Sequence, residues 1–428
     1  MTQCHLDHVR RCSTGRARNR HRPGRYRARV TDAAPPPIPA AARDGRVLLD
    51  AGGRAPVLPA AREAFLAALD EGWADPRRLH TEGRRARALL DGAREAVAAL
   101  VGARTEEVDL APSHTAALHG AVRTVARGRR RAGSAVVVSA VERMAVLDAA
   151  DVAVGGDRPA GDPGERRTVG VDAAGRVDPE AFADALRSPG VALAALQHAN
   201  GEVGTLQPVA AVHAAARAAG VPLLVDAGSS FGHVPVGPEW DVLTLDPGDV
   251  GALPGVAVLV TRAGVRRSPV GPTDEDRWFP GGVSVPAALA AAVALQVAAA
   301  RADAGPDPRV ALVDRLRARV AAQVPEVDVA GPATGRLPHV LTFSCLYVDG
   351  EAVVTALDRA GFAVASGSAC TSATEEPSHV LAAMGALTQG NVRLTLPVGT
   401  TAADVDRFCA VLPGVVTELR RAAGLTDL

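Results

Sequence analysis

The sequence predicts an α/β protein whose larger domain is built on a mainly parallel sheet. Short apolar runs of strand length recur along the chain, and a segment with helix-like spacing of its apolar residues separates each run from the next. Alternation of this kind favours a parallel sheet with helices on both faces. The chain has 428 residues, which is long enough for one large domain and a smaller α+β domain at the carboxy-terminal end.

The elements can be justified in chain order. A first short strand is expected at Val47-Leu48-Leu49, before a Gly-Gly turn. Apolar residues then recur at helix spacing at Leu90, Ala93, Ala96, Val97 and Leu100. Strands with helical stretches between them are expected at 135–139, 191–197 and 223–225. Beyond Ser284 an Ala-rich helix leads into a second unit, with a strand at 340–344 and a helix at 352–360.

Three regions follow from this pattern. Residues 1–45 are rich in arginine and proline, a composition that cannot build a core, and we expect a disordered tail to which no function is assigned. Residues 61–261 should form the large domain. Residues 46–60 and 262–428 should form the smaller domain.

Composition excludes several classes of function. All 47 basic residues are arginine and none is lysine, and 47 acidic residues balance them to a net charge of zero. This balance predicts no general binding of nucleic acid or of membrane surfaces. No uncharged apolar stretch of about 18 residues and no secretory signal is evident. Five cysteines without a CxxC pair indicate a reducing compartment, so we expect a cytoplasmic protein.

Cys370 is the candidate nucleophile. It lies in the segment ASGSACTSA, residues 365–373, where small and hydroxyl-bearing residues favour a loop over helix or strand. A thiolate that solvent can reach is a nucleophile, whereas a buried thiol seldom is. The alternative is that Cys370 is a small apolar filler.

Several separated blocks resemble the cysteine desulfurases, and more broadly the class V aminotransferases of fold type I. SGSACTSA followed by EEPSHVLAAMG resembles their active-site loop, and LLDAGGRAPV resembles their opening LDYSATTPV. DPRRLHTEGRRA, HANGEVGTLQPV, VDAGSSFGHVPV and GNVRLTLPVGTTAADVD resemble four further family blocks in the family's order. The resemblance covers the chain from Val47 to about Arg421 and implies a fold type I, aminotransferase-like large domain.

The resemblance implies pyridoxal 5'-phosphate as the cofactor. Ser113, His114 and Thr115 match the family's phosphate-binding turn at a helix start. Asp226, at a strand end, matches the aspartate that keeps the pyridine nitrogen protonated. Asn200 matches a ring-contacting asparagine. The alternatives are that Thr115 only caps a helix and that Asn200 is a turn residue.

The resemblance also implies roles for two groups outside the cofactor turn. Cys370 matches the cysteine that takes sulfur from the substrate as a persulfide. Arg393 matches the arginine that holds the substrate carboxylate as a bidentate pair. An ordinary surface arginine is the alternative for Arg393.

Other family contacts are replaced in this sequence. Asp249 lies where the family has the lysine that forms the Schiff base, and Gly248 lies where its histidine neighbour belongs. Arg143 replaces the ring-stacking histidine, Ser229 replaces a glutamine, and Gly282 replaces a threonine that reaches the partner subunit's phosphate. A carboxylate cannot form a Schiff base, so covalent attachment through lysine is not expected.

Three hypotheses remain open from the sequence. The first is a degenerate desulfurase that keeps Cys370 as a sulfur acceptor. The second is an active desulfurase or aminotransferase that uses pyridoxal phosphate held without a covalent bond. The third is a structural partner of an intact relative. The resemblance implies a homodimer or a heterodimer with a related desulfurase, with an amino acid or small thiol as a possible ligand.

Overall fold

A computed structural model describes residues 45–155, 164–272, 274, 276–366 and 377–425. Nearly all of the predicted tail and the Cys370 segment from 367 to 376 lie outside the described residues. The strands, in chain order, are β1 Val47–Leu48, β2 Val108–Ala111, β3 Ala135–Ser139, β4 Arg166–Val169, β5 Val191–Gln197, β6 Leu223–Asp226, β7 Val242–Leu245, β8 Ala257–Thr261, β9 Val327–Ala330, β10 Val340–Cys345, β11 Phe362–Ala363 and β12 Asn391–Thr395.

The helices alternate with these strands over most of the chain. They are α1 Pro59–Glu71, α2 Thr81–Val101, α3 His114–Arg129, α4 Met144–Gly155, α5 Pro179–Arg187, α6 Val209–Ala218, α7 Val285–Asp303, α8 Arg309–Gln323, α9 Gly350–Arg359, α10 His379–Met384 and α11 Ala402–Ala422. A short 3₁₀ turn, Pro247–Val250, follows β7.

Seven strands form one sheet in the order β2-β8-β7-β6-β5-β3-β4. Neighbouring strands pair in parallel from β4 through β7, and β8 runs antiparallel to both of its neighbours. Every residue of β3 and β5 is buried, as expected for parallel strands that helices cover on both faces. The predicted α/β fold with a mainly parallel sheet is therefore confirmed.

The carboxy-terminal part forms its own small sheet. Strands β9, β10 and β12 pair antiparallel with β10 at the centre. The first strand, β1, pairs in parallel with β11 from this part of the chain, and both contribute to its hydrophobic cluster. The smaller antiparallel unit agrees with the predicted fold class, while the domain boundaries themselves stay predictions.

Helix α7 is apolar around most of its circumference. Among the described residues it is the one helix long and apolar enough to cross a membrane by length and composition. The sequence analysis predicted an Ala-rich helix beyond Ser284 but did not count it as an apolar stretch of membrane-spanning length, because Gln296 and Arg301 interrupt its apolar residues. It packs against α1 and α2, and many of its residues belong to the core cluster of the large sheet. Burial in a protein core accounts for the same composition.

Candidate functional site

The candidate site lies at the carboxyl edge of the large sheet. Asp226 ends β6, the turn containing Asp249 follows β7, and α3 begins three residues after β2. The carboxyl ends of the parallel strands meet at one edge, which is where α/β folds bind ligands. The fold therefore brings His114, Asp226 and the 247–250 turn to the same edge.

Asp226 is buried, and both of its carboxylate oxygens already have partners. Oδ1 lies 2.9 Å from His114 Nε2 and accepts hydrogen bonds from Gly228 N–H at 2.8 Å and from the Thr244 hydroxyl at 3.3 Å. Oδ2 accepts a hydrogen bond from Arg143 Nε at 3.1 Å. The carboxylate is thus satisfied by protein groups alone.

The charges around Asp226 support its ionised form. Burial opposes the charge of the carboxylate, but His114 and Arg143 hold the pKa of Asp226 well below its usual range. Burial likewise opposes the charge of Arg143, and the Asp226 carboxylate raises the pKa of that guanidinium. Asp226 and Arg143 therefore form an ion pair at neutral pH.

Ser229 holds the other end of the Arg143 guanidinium. Arg143 Nη2 donates to Ser229 Oγ at 2.8 Å. A Cβ on Gly201 would lie 2.5 Å from the same Oγ, so a larger residue at position 201 would push Ser229 away from Arg143. Arg143, Ser229 and Asp226 therefore form one hydrogen-bonded unit.

The three residues of the predicted phosphate turn differ in their contacts and in their exposure. Ser113 Oγ caps α3 by accepting from Ala116 N–H at 3.1 Å. His114 is buried and faces Asp226, whereas Thr115 is exposed. Since α3 begins at His114, two residues before the predicted start near Ala116, its first turn lies beside the site. A phosphate role for these three residues stays a prediction.

Asn200 is buried, and its side chain hydrogen-bonds to backbone groups of the protein. The Oδ1 atom accepts from Glu202 N–H at 2.8 Å and from Val203 N–H at 2.9 Å. Its Nδ2 donates to Val141 O at 3.1 Å. These bonds agree with the turn alternative, and a contact with a cofactor ring stays a prediction.

Asp249 is buried on the 3₁₀ turn after β7. Its Oδ1 accepts from Gly53 N–H at 2.7 Å, and its Oδ2 lies 2.9 Å from His233 Nε2. The contact with Gly53 joins the loop after β1 to the edge of the large sheet. Both oxygens of the carboxylate therefore have protein partners.

His233 and His339 are two site residues that the sequence reasoning missed. Both are buried, and their rings stack with centroids 3.9 Å apart. Arg309 Nη2 lies 3.0 Å from His233 Nδ1. Burial lowers the pKa of both histidines. One clue was available: in VDAGSSFGHVPV, His233 lies where the family block VDATQSxGKxPI has a lysine.

Two glutamates, the buried Glu142 and the half-buried Glu202, were also missed. Burial raises the pKa of Glu142 to about 8, although its Oε1 accepts from Gln197 N–H at 2.8 Å. Burial raises the pKa of Glu202 to about 7, against the opposing effects of Ser378 and Arg393. Ser378 Oγ donates to Glu202 Oε1 at 2.6 Å. No apolar pattern marks such residues, because their burial depends on tertiary packing.

Arg393 lies on β12 at the small sheet. Its Nη2 is 4.0 Å from Asp50 Oδ1, and its Nε is buried with no hydrogen-bond partner among the described residues. The side chain is 22% exposed, so it is not an ordinary surface arginine. Cys370 lies outside the described residues, and its distance from Arg393 stays untested. Gly282 lies on the exposed chain before α7.

Comparison with known proteins gives a consistent result. Residues 47–246 and 274–408 match the family model described as aminotransferase class V. A cysteine desulfurase of Cereibacter sphaeroides is 37% identical over 387 residues, which cover 88% of this chain and 97% of that protein. A cysteine desulfurase of Gluconacetobacter diazotrophicus is 33% identical over 394 residues, which cover 89% of this chain and 96% of that protein.

Solved structures support the fold. A NifS-like protein superposes with a TM-score of 0.78 at 23% identity, covering 87% of this chain and all of that one. The apo structure of a cysteine desulfurase from Thermococcus onnurineus superposes with a TM-score of 0.73 at 19% identity, covering 87% of this chain and 95% of that one.

Proposed function

This chain belongs to the class V aminotransferases, among the cysteine desulfurases, and on that premise we propose that it is a degenerate desulfurase in which Cys370 serves as a persulfide sulfur acceptor. Ordinary pyridoxal phosphate chemistry would not run in it. The observation that carries the proposal is that both oxygens of the Asp226 carboxylate already bond to protein groups, whereas the family uses this carboxylate to hold the cofactor's pyridine nitrogen.

The residues at this edge do not fit pyridoxal phosphate. A protonated pyridine nitrogen needs a free acceptor, but the Asp226 oxygens are occupied by His114, Arg143 and backbone and hydroxyl donors. The Arg143 guanidinium would also repel a pyridinium placed beside it. A ring at this position would have to displace Arg143 and would lose the charge that makes it an electron sink.

The lysine position gives independent support. The sequence contains no lysine, so no side-chain amine of that type is present for a Schiff base. Asp249, which the resemblance places at the lysine position, is bonded to Gly53 and His233 and is buried.

Cys370 is the thiol left for sulfur chemistry in this region. Cys345 and Cys409 are buried, and burial raises the pKa of Cys345 to about 11 and also raises the pKa of Cys409. Both are therefore thiols at neutral pH and poor nucleophiles. We propose that Cys370 accepts sulfur from a donor persulfide, whose sulfur–sulfur bond breaks as the Cys370 thiolate attacks and the donor leaves as a thiolate.

Two assays test the function together. With cysteine and pyridoxal phosphate, the protein alone should release no alanine and no sulfide. When a persulfide donor is supplied, mass spectrometry should find one added sulfur on the peptide containing Cys370, and Cys370→Ser should lose it. Alanine release by the protein alone would contradict degeneracy. Sulfur on Cys345 or Cys409 instead would contradict the acceptor role.

We also propose a dimeric protein, as the family resemblance implies, that is located in the cytoplasm, as the cysteine content indicates. Apolar side chains of α1 and the loop after it, Leu69, Trp73 and Leu79, are exposed and would suit a subunit contact. Sedimentation should give twice the chain mass of 43.7 kDa. The mass of a single chain would instead favour pairing with a related desulfurase.

A further inference from the structure

We propose that His233, Asp249 and His339 form a binding site for one divalent transition-metal ion, with zinc as the ion that suits these ligands best. The three residues come from different parts of the fold. His233 lies in the loop after β6, Asp249 lies in the turn after β7, and His339 precedes β10 of the small sheet. The inference rests on the geometry of described residues and is independent of the proposed sulfur chemistry.

The ligand atoms are close enough to share an ion. Each of the three residues is buried and offers one atom within 4.8 Å of the others. The His233 Nε2 to Asp249 Oδ2 distance is 2.9 Å. Tetrahedral zinc with bonds of about 2.0–2.1 Å separates its ligand atoms by about 3.3 Å. Shifts of a few tenths of an ångström would therefore complete this edge of the site.

A cavity lies against all three residues. Its volume is about 20 Å³, which is enough for one water-sized occupant and too small for an organic cofactor or substrate. His339 Nδ1 is buried and has no hydrogen-bond partner among the described residues. A buried polar atom without a partner next to a small cavity calls for an occupant. The occupant is a water molecule or a single ion.

The ligand chemistry selects the ion. Burial favours neutral imidazole, which is the form that binds metals. Two imidazoles and one carboxylate match the ligand sets of zinc and other first-row transition ions. Magnesium and calcium prefer sites made of oxygen ligands. The site therefore should prefer zinc or cobalt to magnesium.

Two arginines at the cavity carry positive charges that repel a bound cation, but each of them already bonds to an acceptor in the protein. Arg301 and Arg309 both line the cavity. Arg309 is already paired with Asp307, and Arg301 donates to Gly232 O at 3.1 Å. Binding at His233 Nε2 moves its proton to Nδ1, so the hydrogen bond from Arg309 to Nδ1 must break while Arg309 keeps Asp307. The positive charges of Arg301 and Arg309 should weaken the binding of every divalent cation to a similar extent.

Cobalt and zinc titrations of the full chain test the site. Protein stripped with EDTA is titrated with Co²⁺ in the visible range and with Zn²⁺ by calorimetry. We expect one ion per chain with a d–d spectrum of nitrogen and oxygen ligands. His339→Gln and Asp249→Asn should each weaken affinity at least about tenfold, because each removes one ligand. His213→Gln, a buried histidine outside the cavity, is the matched control and should bind as the wild type does.

Several outcomes would overturn the proposal. If Co²⁺ gives no d–d band, or if His339→Gln binds as tightly as the wild type, the cavity holds water only. A thiolate-to-cobalt charge-transfer band would place the ion on a cysteine instead. His339→Gln is the decisive variant because the His339 side chain makes no hydrogen bond among the described residues, and the substitution keeps the bond from Leu396 N–H to the backbone carbonyl of residue 339. Circular dichroism should therefore show an unchanged fold.

Discussion

At the scale of single residues, Asp226 has the strongest effect on the site. It is a buried carboxylate that lies 2.9 Å from His114 Nε2 and forms an ion pair with Arg143. Arg143 thus supplies the counter-charge that a buried aspartate requires.

Asp226→Asn should destabilise the protein by about 2 kcal/mol in free energy of unfolding. Removing one member of a fully buried ion pair costs about 3–5 kcal/mol, and the partial exposure of Arg143 reduces that cost. Urea denaturation followed by circular dichroism measures the change. Asp184→Asn, in the exposed pair with Arg187, is the control and should leave the midpoint almost unchanged. Equal effects of the two variants would contradict a buried pair at Asp226.

Glu142 should make stability depend on pH. Burial raises its pKa from 4.5 to about 8, so the folded state favours the protonated carboxyl. Its stabilising contribution is complete below about 4.5 and is lost, at roughly 1.4 kcal/mol per pH unit, as pH rises to about 8. Glu142→Gln should match the wild type near pH 5 and exceed its stability near pH 8. A constant difference across that pH range would contradict the raised pKa.

At the scale of elements, α10 is bonded to the carboxyl edge of the large sheet through its cap and its first residue. Ser378 caps α10 by accepting from Leu381 N–H at 3.2 Å and donates to Glu202 after β5. His379 Nε2 lies 2.8 Å from Glu142 O after β3. The residue range that contains Cys370 therefore leads directly into a helix fixed to the carboxyl edge of the large sheet.

Ser378→Ala should lower the free energy of unfolding by about 1–3 kcal/mol. The variant loses a helix cap, worth about 1 kcal/mol, and leaves the Glu202 carboxyl without its 2.6 Å partner. Ser284→Ala removes only the cap of α7 and is the matched control. Thermal and urea unfolding measure both variants. A loss no larger than that of Ser284→Ala would show that the bond to Glu202 contributes nothing.

At the scale of the whole molecule, the sequence predicted the architecture better than the side-chain pairings. The runs at 135–139 and 191–197 became β3 and β5 with the predicted bounds, because buried parallel strands are continuous apolar segments. Asp226 could be placed at the sheet edge because it directly follows such a run. The pairing of Arg143 with Asp226 could not be predicted, since it joins residues far apart in the chain that only the fold brings together.

The stacking of the two histidines is another side-chain pairing that could not be predicted from the sequence. His233 lies in the loop after β6 of the large sheet and His339 lies just before β10 of the small sheet, and neither is part of an apolar pattern or a close Cys/His motif. Only the packing of the small sheet against the large one brings them beside Asp249. The comparison with family blocks identified Asp249 alone as replaced, and it gave no reason to join Asp249 to either histidine.

We propose that Arg143 and Asp249 close the cofactor site. The most direct test is to incubate the protein with pyridoxal phosphate, remove free ligand by gel filtration and record the visible absorption spectrum. Asp249→Lys is the comparison, and it should regain some cofactor absorption but little desulfurase activity. For the wild type we predict no retained band, and no pyridoxyl-peptide from residues 241–260 after borohydride reduction. A stoichiometric absorption band of pyridoxal phosphate retained by the wild-type protein would contradict the closure of this site.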